Sequence, residues 1–241
     1  MAQFLLFTRK KTEMRKLIYL NALLLILIGG CTKEVTTDLA TSINSNEESN
    51  AAAADTYLPL KNGTYWKYNN ETDAKAPDES KLTVLNFTKT FIGKTYKAVK
   101  IEKDKRPDTV YYNQTGHSYY LFTNESTQDA NTMKLEILFL KDNVSNGATW
   151  SEDAGFANGT ALNCYGKILE KNMTIKVEGE TYDNVIHSYV ELRKKILFFY
   201  ITVAKQDYYV AKNIGIIKNI STQLLPDKST TTTTITDYLI K

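Results

Sequence analysis

Short runs in which apolar and polar residues alternate recur along the chain from about residue 56 onward. Met173, Ile175 and Val177 form one such run, with polar residues between them. A repeat of two is typical of a half-buried β-strand, because successive side chains point to opposite faces of a sheet. No window of about 11 residues in this region has the apolar spacing of an amphipathic helix. The pattern therefore predicts an all-β fold.

The strands that this pattern predicts are joined by short connectors, which favour antiparallel pairing. We expect a single antiparallel, strongly curved sheet or an open barrel-like meander of about 10–13 strands. The C-terminal strand is expected to pair back on the strand before it, through a turn at Leu225-Pro226-Asp227-Lys228. The predicted strands are 64–69, 81–91, 95–102, 109–113, 117–123, 134–140, 162–170, 173–178, 184–193, 196–204, 207–211, 214–220 and 230–239.

Residues 196–203 are apolar on both faces of the predicted strand, with the sequence Ile-Leu-Phe-Phe-Tyr-Ile-Thr-Val. A run of this kind is typical of a central strand that is covered on both sides. The alternative is a wall of an apolar ligand cavity, lined by residues such as Phe198 and Tyr200. Lysines flank the run and oppose aggregation through its apolar side chains.

The N-terminal region has the pattern of a signal peptide. Residues 17–28 form an apolar run that is shorter than the roughly 20 residues a helix needs to cross a bilayer core. The positively charged Met14-Arg15-Lys16 precedes this run, so that translation starts at Met1 or at Met14. We therefore predict a signal peptide over residues 1–30 and no permanent transmembrane helix.

The strongest single motif closes that segment. Leu27-Ile28-Gly29-Gly30-Cys31 resembles the lipobox at which bacteria acylate a cysteine and cut the chain before it. An ordinary export signal has small residues at the first and third positions before the cut, and here Ile28 occupies the third. The resemblance implies lipidation of Cys31 with acyl chains such as palmitate. It also implies a membrane anchor at the bacterial outer membrane, facing the periplasm or the cell surface.

Residues 31–55 are predicted to be the lipidated cysteine followed by a flexible tether. They hold few large apolar residues, so they cannot bury enough surface to offset the entropy of ordering. A tether of this length has a root-mean-square reach of roughly 25–30 Å. Residues 56–241 then form one β domain, long enough for a sizeable core.

Charge and cysteine content agree with export. Residues 1–30 hold five of the 30 basic residues and one of the 27 acidic residues, which leaves 25 basic against 26 acidic residues. The basic residues of the mature chain are interspersed with acidic ones, which argues against a nucleic-acid surface. With Cys31 acylated, Cys164 has no partner within the chain, so the fold must hold without a disulfide.

No motif in the chain names a reaction. The phosphate-binding Gly-x-x-x-x-Gly-Lys loop, the Gly-x-Ser-x-Gly elbow and the His-Glu-x-x-His zinc motif are all missing from the sequence. A zinc site would need His117, His187 and Cys164 or a carboxylate brought together from distant strands. We expect instead that both histidines face solvent. The sequence therefore predicts no catalytic residue, no metal and no cofactor.

A family resemblance covers most of the β domain. The segment Tyr57-Leu58-Pro59-Leu60-Lys61-Asn62-Gly63-Thr64-Tyr65-Trp66-Lys67-Tyr68 resembles the aromatic-x-Pro-Leu-x-x-Gly-x-x-Trp-x-Tyr opening of uncharacterised envelope lipoproteins of Gram-negative bacteria. Residues 147–150, 173–182 and 208–218 are similar to later blocks of that group, in the same order. Asn213 stands where the group often has glycine, so a differently built turn is expected there. The resemblance implies an antiparallel β fold on the cell envelope and no catalytic residues.

Three functions remain open at this point. The first is a membrane-anchored, non-enzymatic structural or interaction module with a protein partner. The second is a carrier or sensor that binds an apolar small molecule in a curved-sheet cavity of several hundred Å3. The third is an enzyme, which would need carboxylates or histidines that converge in a cleft. The sequence favours the first and leaves the ligand-binding residues unknown.

Overall fold

The computed structural model describes residues 55–73, 75–103, 106–126, 132–157, 160–225 and 227–241. The predictions for residues 1–54, which include the signal peptide and Cys31, lie outside the described residues. Among the described residues, no helix is long and apolar enough to cross a membrane. The described strands are β1 (Tyr65–Thr72), β2 (Lys75–Phe91), β3 (Lys94–Lys103), β4 (Arg106–Thr115), β5 (Ser118–Ser126), β6 (Thr132–Lys141), β7 (Thr149–Ala157), β8 (Thr160–Val177), β9 (Glu180–Ile196), β10 (Phe199–Ala211), β11 (Gly215–Gln223) and β12 (Ser229–Leu239).

These strands close into one antiparallel barrel. Each strand pairs with its neighbours in the sequence, and β12 pairs with β1 from Thr231 opposite Thr72 to Leu239 opposite Tyr65. The prediction of an all-β fold with a single curved antiparallel sheet is confirmed. The expected pairing of the last strand with β11 is also observed. The sheet is closed rather than open, because every described strand pairs with a neighbour on each side.

Strand β7 is missing from the sequence-based prediction. Its buried side chains are Trp150, Ala154 and Ala157. The residues between them are charged or small, except for Phe156, which is exposed. The large alternating apolar residues that mark the other strands are therefore absent from Thr149–Ala157. Pairing with β8, which is continuous along most of β7, holds this segment in the barrel.

Two pairs of predicted strands are each one strand in the structure. Residues 162–170 and 173–177 belong to β8, which continues through bulges after Ile168, and Glu178 lies in the turn that follows. Residues 199–204 and 207–211 belong to β10, whereas Ile196 is the last residue of β9. Bulges interrupt the two-residue repeat without ending the strand, so the pattern alone divided both strands.

Aromatic side chains fill the centre of the barrel. The fully buried ring of Phe139 lies 5.3 Å from the ring of Tyr208 and 6.2 Å from that of Tyr112, centroid to centroid. Burial raises the pKa of both tyrosine hydroxyls. Trp66 and Trp150 are each the second residue of a strand that begins at the same end of the barrel. Large apolar residues thus form a continuous core rather than a channel.

A second aromatic cluster lies outside the barrel wall. Leu121 and Thr123 face the interior, so Phe122 between them faces outward. The hairpin of β2 and β3 bends at a bulge between Val84 and Thr88 and folds over this outer face. Its Phe91 ring stacks on Phe122 with centroids 4.3 Å apart. This hairpin buries Phe122 from outside and thickens the wall.

The pairing of β6 with β7 is the weakest part of the wall, with two residue pairs near Leu135. Side chains from the interior bond instead to the backbone of β6. Ser188 Oγ donates to Phe139 O over 2.6 Å, and Trp150 Nε1 donates to Leu138 O over 3.1 Å. Cys164 Sγ lies 3.6 Å from the same Leu138 oxygen. These bonds hold β6 where the strand ladder does not.

Candidate functional site

The antiparallel strands divide the connections between two ends of the barrel. The β4–β5, β6–β7, β8–β9 and β10–β11 turns lie at the end where the chain enters β1, which we call the proximal end. The β2–β3 turn is bent away from this end and lies over the outer face of the wall, beside Phe122. The β9–β10 turn and the other connections lie at the opposite, distal end. Any anchor that precedes Asp55 therefore joins the protein at its proximal end.

The segment before β1 is fastened across the proximal end. Asp55 pairs with Lys212 over 2.9 Å, and this hydrogen bond and charge lower the pKa of the Asp55 carboxyl. Thr56 N donates to Asn213 Oδ1 over 3.2 Å, and Asn213 N donates to Thr56 O over 2.7 Å. Thr56 Oγ1 donates to Gln114 Oε1 over 2.8 Å. The segment is thus held at several points of the rim.

Asn213 adopts a backbone conformation that glycine favours. Its φ is 63°, in the left-handed region that asparagine tolerates. Unlike a glycine, asparagine also offers a side-chain amide, and its oxygen accepts the hydrogen bond from Thr56 N. The turn therefore contributes a side-chain contact to the entering chain.

A buried hydroxyl, a carboxylate and a histidine meet at the same end. Tyr119 OH donates to Asp142 Oδ2 over 2.6 Å, and His117 Nδ1 lies 2.6 Å from Asp142 Oδ1. Burial and the hydrogen bond to Asp142 raise the pKa of Tyr119. The His117 side chain is 65% exposed, as expected for a solvent-facing histidine, but the sequence did not indicate its carboxylate partner.

A cavity of about 510 Å3 opens at the proximal end, and we call it the mouth. Its apolar wall comes from the entering segment, and its polar wall from the rim of β2 to β4. Among the described residues, its lining includes three lysines and no aspartate or glutamate. The lining residues are Thr56, Leu58, Pro59, Leu60, Lys61, Thr88, Thr95, Lys97, Tyr112, Asn113, Gln114, Asn213, Ile240 and Lys241.

A second, smaller cavity lies inside the barrel. Its volume is about 70 Å3, which suits a few water molecules at about 10–15 Å3 each. Ligand pockets typically measure about 300–1,000 Å3. Thr123 Oγ1 lines this cavity and has no hydrogen-bond partner among the described residues. Tyr112 lines both cavities and separates them. This interior cavity is therefore smaller than the apolar cavity of several hundred Å3 that a carrier would need.

The apolar run 196–203 is not a covered central strand, which corrects the sequence-based prediction. Ile196 pairs with Phe199, so Leu197 and Phe198 form a two-residue hairpin turn. Phe198 is 98% exposed and Leu197 is 77% exposed. Neither Phe198 nor Tyr200 lines either of the two cavities described above. We call Leu197 to Tyr200 the distal tip.

The distal tip projects beyond its neighbour on one side. Strand β11 ends at Gln223, opposite Ala204, so residues 199–202 pair with β9 alone. Leu197 has a φ of 53°, which is strained for a branched side chain. Lys194 and Lys195 lie directly behind the tip on β9. The tip is a narrow apolar projection with positive charge at its base.

The residues that a zinc site would need, His117, His187 and Cys164, are not brought together. His187 stacks on Tyr209 with centroids 4.2 Å apart and lies 2.7 Å from Asp207 Oδ1. Its side chain is 15% exposed, so the prediction of a solvent-facing His187 is wrong. Cys164 is fully buried, which raises its pKa to about 12. Among the described residues, no group of three or more histidine, cysteine or acidic side chains could hold a metal ion.

The fold and its two ends define a closed antiparallel β-barrel with a cationic mouth. No protein-family model matches the chain, and no curated protein matches it. One similar solved structure is a "putative lipoprotein" from Parabacteroides distasonis, with a TM-score of 0.48 and 8% identity over 77% of this chain and 99% of that one. Another is a "putative exported protein with YmcC-like fold" from Bacteroides fragilis, with a TM-score of 0.46 and 8% identity over 77% of this chain and 100% of that one.

Proposed function

We propose that the protein is a membrane-anchored lipoprotein of the cell envelope, at the outer membrane, that works as a non-enzymatic interaction module. Cys31 carries the acyl anchor and residues 31–55 form the tether. In support, Asp55 and Thr56 are fastened to the proximal end, so the anchor leaves the distal end free. The exposed distal tip at that free end is the observation that carries the proposal.

The distal tip lowers stability in two ways, which favours a functional reason for it. Leu197 and Phe198 remain in water, although burial of each would contribute about 1.5–3 kcal/mol. The left-handed backbone of Leu197 costs about 1–3 kcal/mol more. Such features persist where a partner covers the exposed surface.

The size and charge of the tip favour a lipid surface as that partner. A stable protein interface needs about 1,000 Å2, which a four-residue hairpin tip does not provide alone. Three apolar side chains entering a lipid interface contribute about 2 kcal/mol each. Lys194 and Lys195 add about 1 kcal/mol each near anionic headgroups. The partner that we propose is therefore an anionic lipid surface.

The anchor itself is tested by replacing Cys31 with serine. Acyl chains contribute about 0.8 kcal/mol per buried CH2, and two or more chains anchor a protein firmly. The wild-type chain should incorporate labelled palmitate and fractionate with outer membranes, whereas Cys31→Ser should incorporate none. The double variant Cys31→Ser, Phe198→Ser, which also lacks the apolar tip, should be released as soluble protein. Palmitate incorporation by Cys31→Ser would show that the anchor lies elsewhere.

The distal tip is tested by vesicle flotation of the mature chain that carries Cys31→Ser. It should float with vesicles of phosphatidylethanolamine and phosphatidylglycerol, and Phe198→Ser should reduce the bound fraction at least fivefold. Ile92→Ser is the matched control, because Ile92 is also exposed in a hairpin turn with positive φ but lies over the outer face of the wall, away from the distal tip. Equal flotation of all three proteins would contradict the role of the tip. Cross-linking of position 198 to one discrete protein would show that the partner of the tip is a protein and not a lipid surface.

A carrier or sensor remains the second candidate, and the mouth is the observation that favours it. Its volume of about 510 Å3 lies within the range of ligand pockets. The site differs from the one expected from sequence, since it lies at the rim and contains lysines. Titration of the purified protein with candidate ligands tests this function separately from the tip.

A further inference from the structure

We propose that the mouth binds an anionic amphiphile, a molecule with one carboxylate- or phosphate-type group on an apolar body. The basis is the juxtaposition of three lysine side chains with an apolar wall in one cavity. This site lies at the opposite end from the distal tip, so neither its existence nor its test depends on the tip.

The lysines of the mouth have no carboxylate partner. Lys61, Lys97 and Lys241 form no ion pair with another described residue, whereas Lys67, Lys94 and Lys103 each pair with an acidic side chain. Lys241 is the last residue of this sequence, and a main-chain carboxylate on it would add one negative charge. With that charge counted, the lining of the mouth still has a net positive charge. Like charges that share a cavity repel one another, and an anion relieves that repulsion.

Two acidic groups at the proximal end are already engaged with other residues. Asp55 bonds Lys212, and the two oxygens of Asp142 bond Tyr119 and His117. Neither carboxylate lines the mouth. The described lining thus supplies no acidic side chain to neutralise the three lysines, and the counter-ion is expected to come from a ligand.

Lys97 is placed to contact the anionic group. It lies on β3 between Thr88 on β2 and Tyr112 on β4, and it is partly buried. The Thr88 hydroxyl lines the same cavity and makes no hydrogen bond with another described residue. A cation beside a free hydroxyl provides the charge-assisted hydrogen bonds that carboxylate and phosphate oxygens accept.

The opposite wall suits an apolar body. Leu58 and Pro59 are buried, and Leu60 and Ile240 are partly buried. The bonds of Thr56 to the rim hold this wall in place before any ligand arrives. A preformed wall lowers the entropy cost of binding. The apolar part of the ligand would lie between this wall and the ring of Tyr112.

The test uses the mature chain with Cys31→Ser and isothermal titration calorimetry at ligand concentrations below micelle formation. The probes are dodecanoate, dodecanol and inorganic phosphate. Dodecanoate should bind at least tenfold more tightly than dodecanol, which lacks the charge, and more tightly than phosphate, which lacks the apolar body. The affinity for dodecanoate should fall as sodium chloride is added, because salt screens the lysines.

Lys97→Gln should weaken dodecanoate binding at least tenfold, and Lys61→Gln, a change at an exposed site, should weaken it severalfold. The matched control is Lys100→Gln, on the same strand but paired with Glu102 outside the mouth, which should bind like the wild type. Equal binding of dodecanoate and dodecanol would overturn the role of the lysines. If phosphate binds as tightly as dodecanoate, the ligand is a soluble anion and not an amphiphile. If both lysine variants bind dodecanoate like the wild type, the binding site lies outside the mouth.

Discussion

The indole ring of Trp150 lies directly over Gly166, its cross-strand neighbour on β8. A methyl group on Gly166 would come within 2.0 Å of the ring atom Cε2 of Trp150. The same ring donates its hydrogen bond to Leu138 O on β6. Gly166 therefore makes room for the side chain that joins β7 to β6 where their ladder is weakest.

Gly166→Ala should destabilise the protein through this contact. The added methyl group must displace the Trp150 ring, and overpacking of this kind costs about 1–3 kcal/mol. Urea unfolding followed by tryptophan fluorescence would measure the loss. The double variant Gly166→Ala, Trp150→Leu should lose less stability than the two single changes added together. A Gly166→Ala protein as stable as the wild type would contradict the packing.

Cys164 should resist thiol reagents until the barrel unfolds. Burial raises its pKa to about 12, whereas an unfolded thiol has a pKa of about 8.5. The stability that this shift contributes is fully present below about pH 8.5 and declines above it, because only the unfolded state then loses the proton. Labelling kinetics at pH 8 should therefore follow global unfolding. The loss of stability between pH 8.5 and 11 should be smaller in Cys164→Ala than in the wild type, and equal losses would contradict the shift.

Glu191 should contribute stability that is lost in acid. Burial acts to raise the pKa of its carboxyl, but hydrogen bonds from Tyr189, Arg193 and Thr202 outweigh it and lower the pKa. Stability from a lowered pKa is present above the unfolded value, about 4.3, and is lost as pH falls through the folded value. Glu191→Gln should therefore cost about 0.2–1 kcal/mol at pH 7 in thermal or urea unfolding, since solvent screens the ion pair. The cost should shrink below pH 4, and a cost that does not change with pH would contradict this assignment.

Limited proteolysis should cut first within residues 31–55 and leave residues 56–241 as a resistant core. Proteases need an extended segment free of pairing, and the strands of a closed barrel are paired on both sides. Mass spectrometry of the early fragments would locate the cuts. Early cleavage within residues 160–220 would contradict a single β domain.

The sequence alone determined the strand type and the antiparallel connections. Met173, Ile175 and Val177 alternate with polar residues because each strand presents one face to the interior, and this repeat is a local property. Short connectors likewise restrict neighbouring strands to antiparallel pairs, so β11 and β12 were predicted together. The sequence did not predict strand β7, because Thr149–Ala157 lacks large alternating apolar residues. Its one large buried side chain, Trp150, packs in the room that Gly166 leaves on another strand.

Tertiary structure alone decided that the barrel closes, that the distal tip is exposed and that the mouth forms. The pairing of Tyr65 with Leu239 joins the two ends of the domain, and no local pattern records it. Phe198 is exposed because the pairing of Ile196 with Phe199 places it in a hairpin turn, beyond the point where β11 ends at Gln223. Lys97 and Lys241 are far apart in the sequence and line one cavity only after the barrel closes. Local repeats specify which face of a strand is apolar, whereas long-range pairing decides what covers that face.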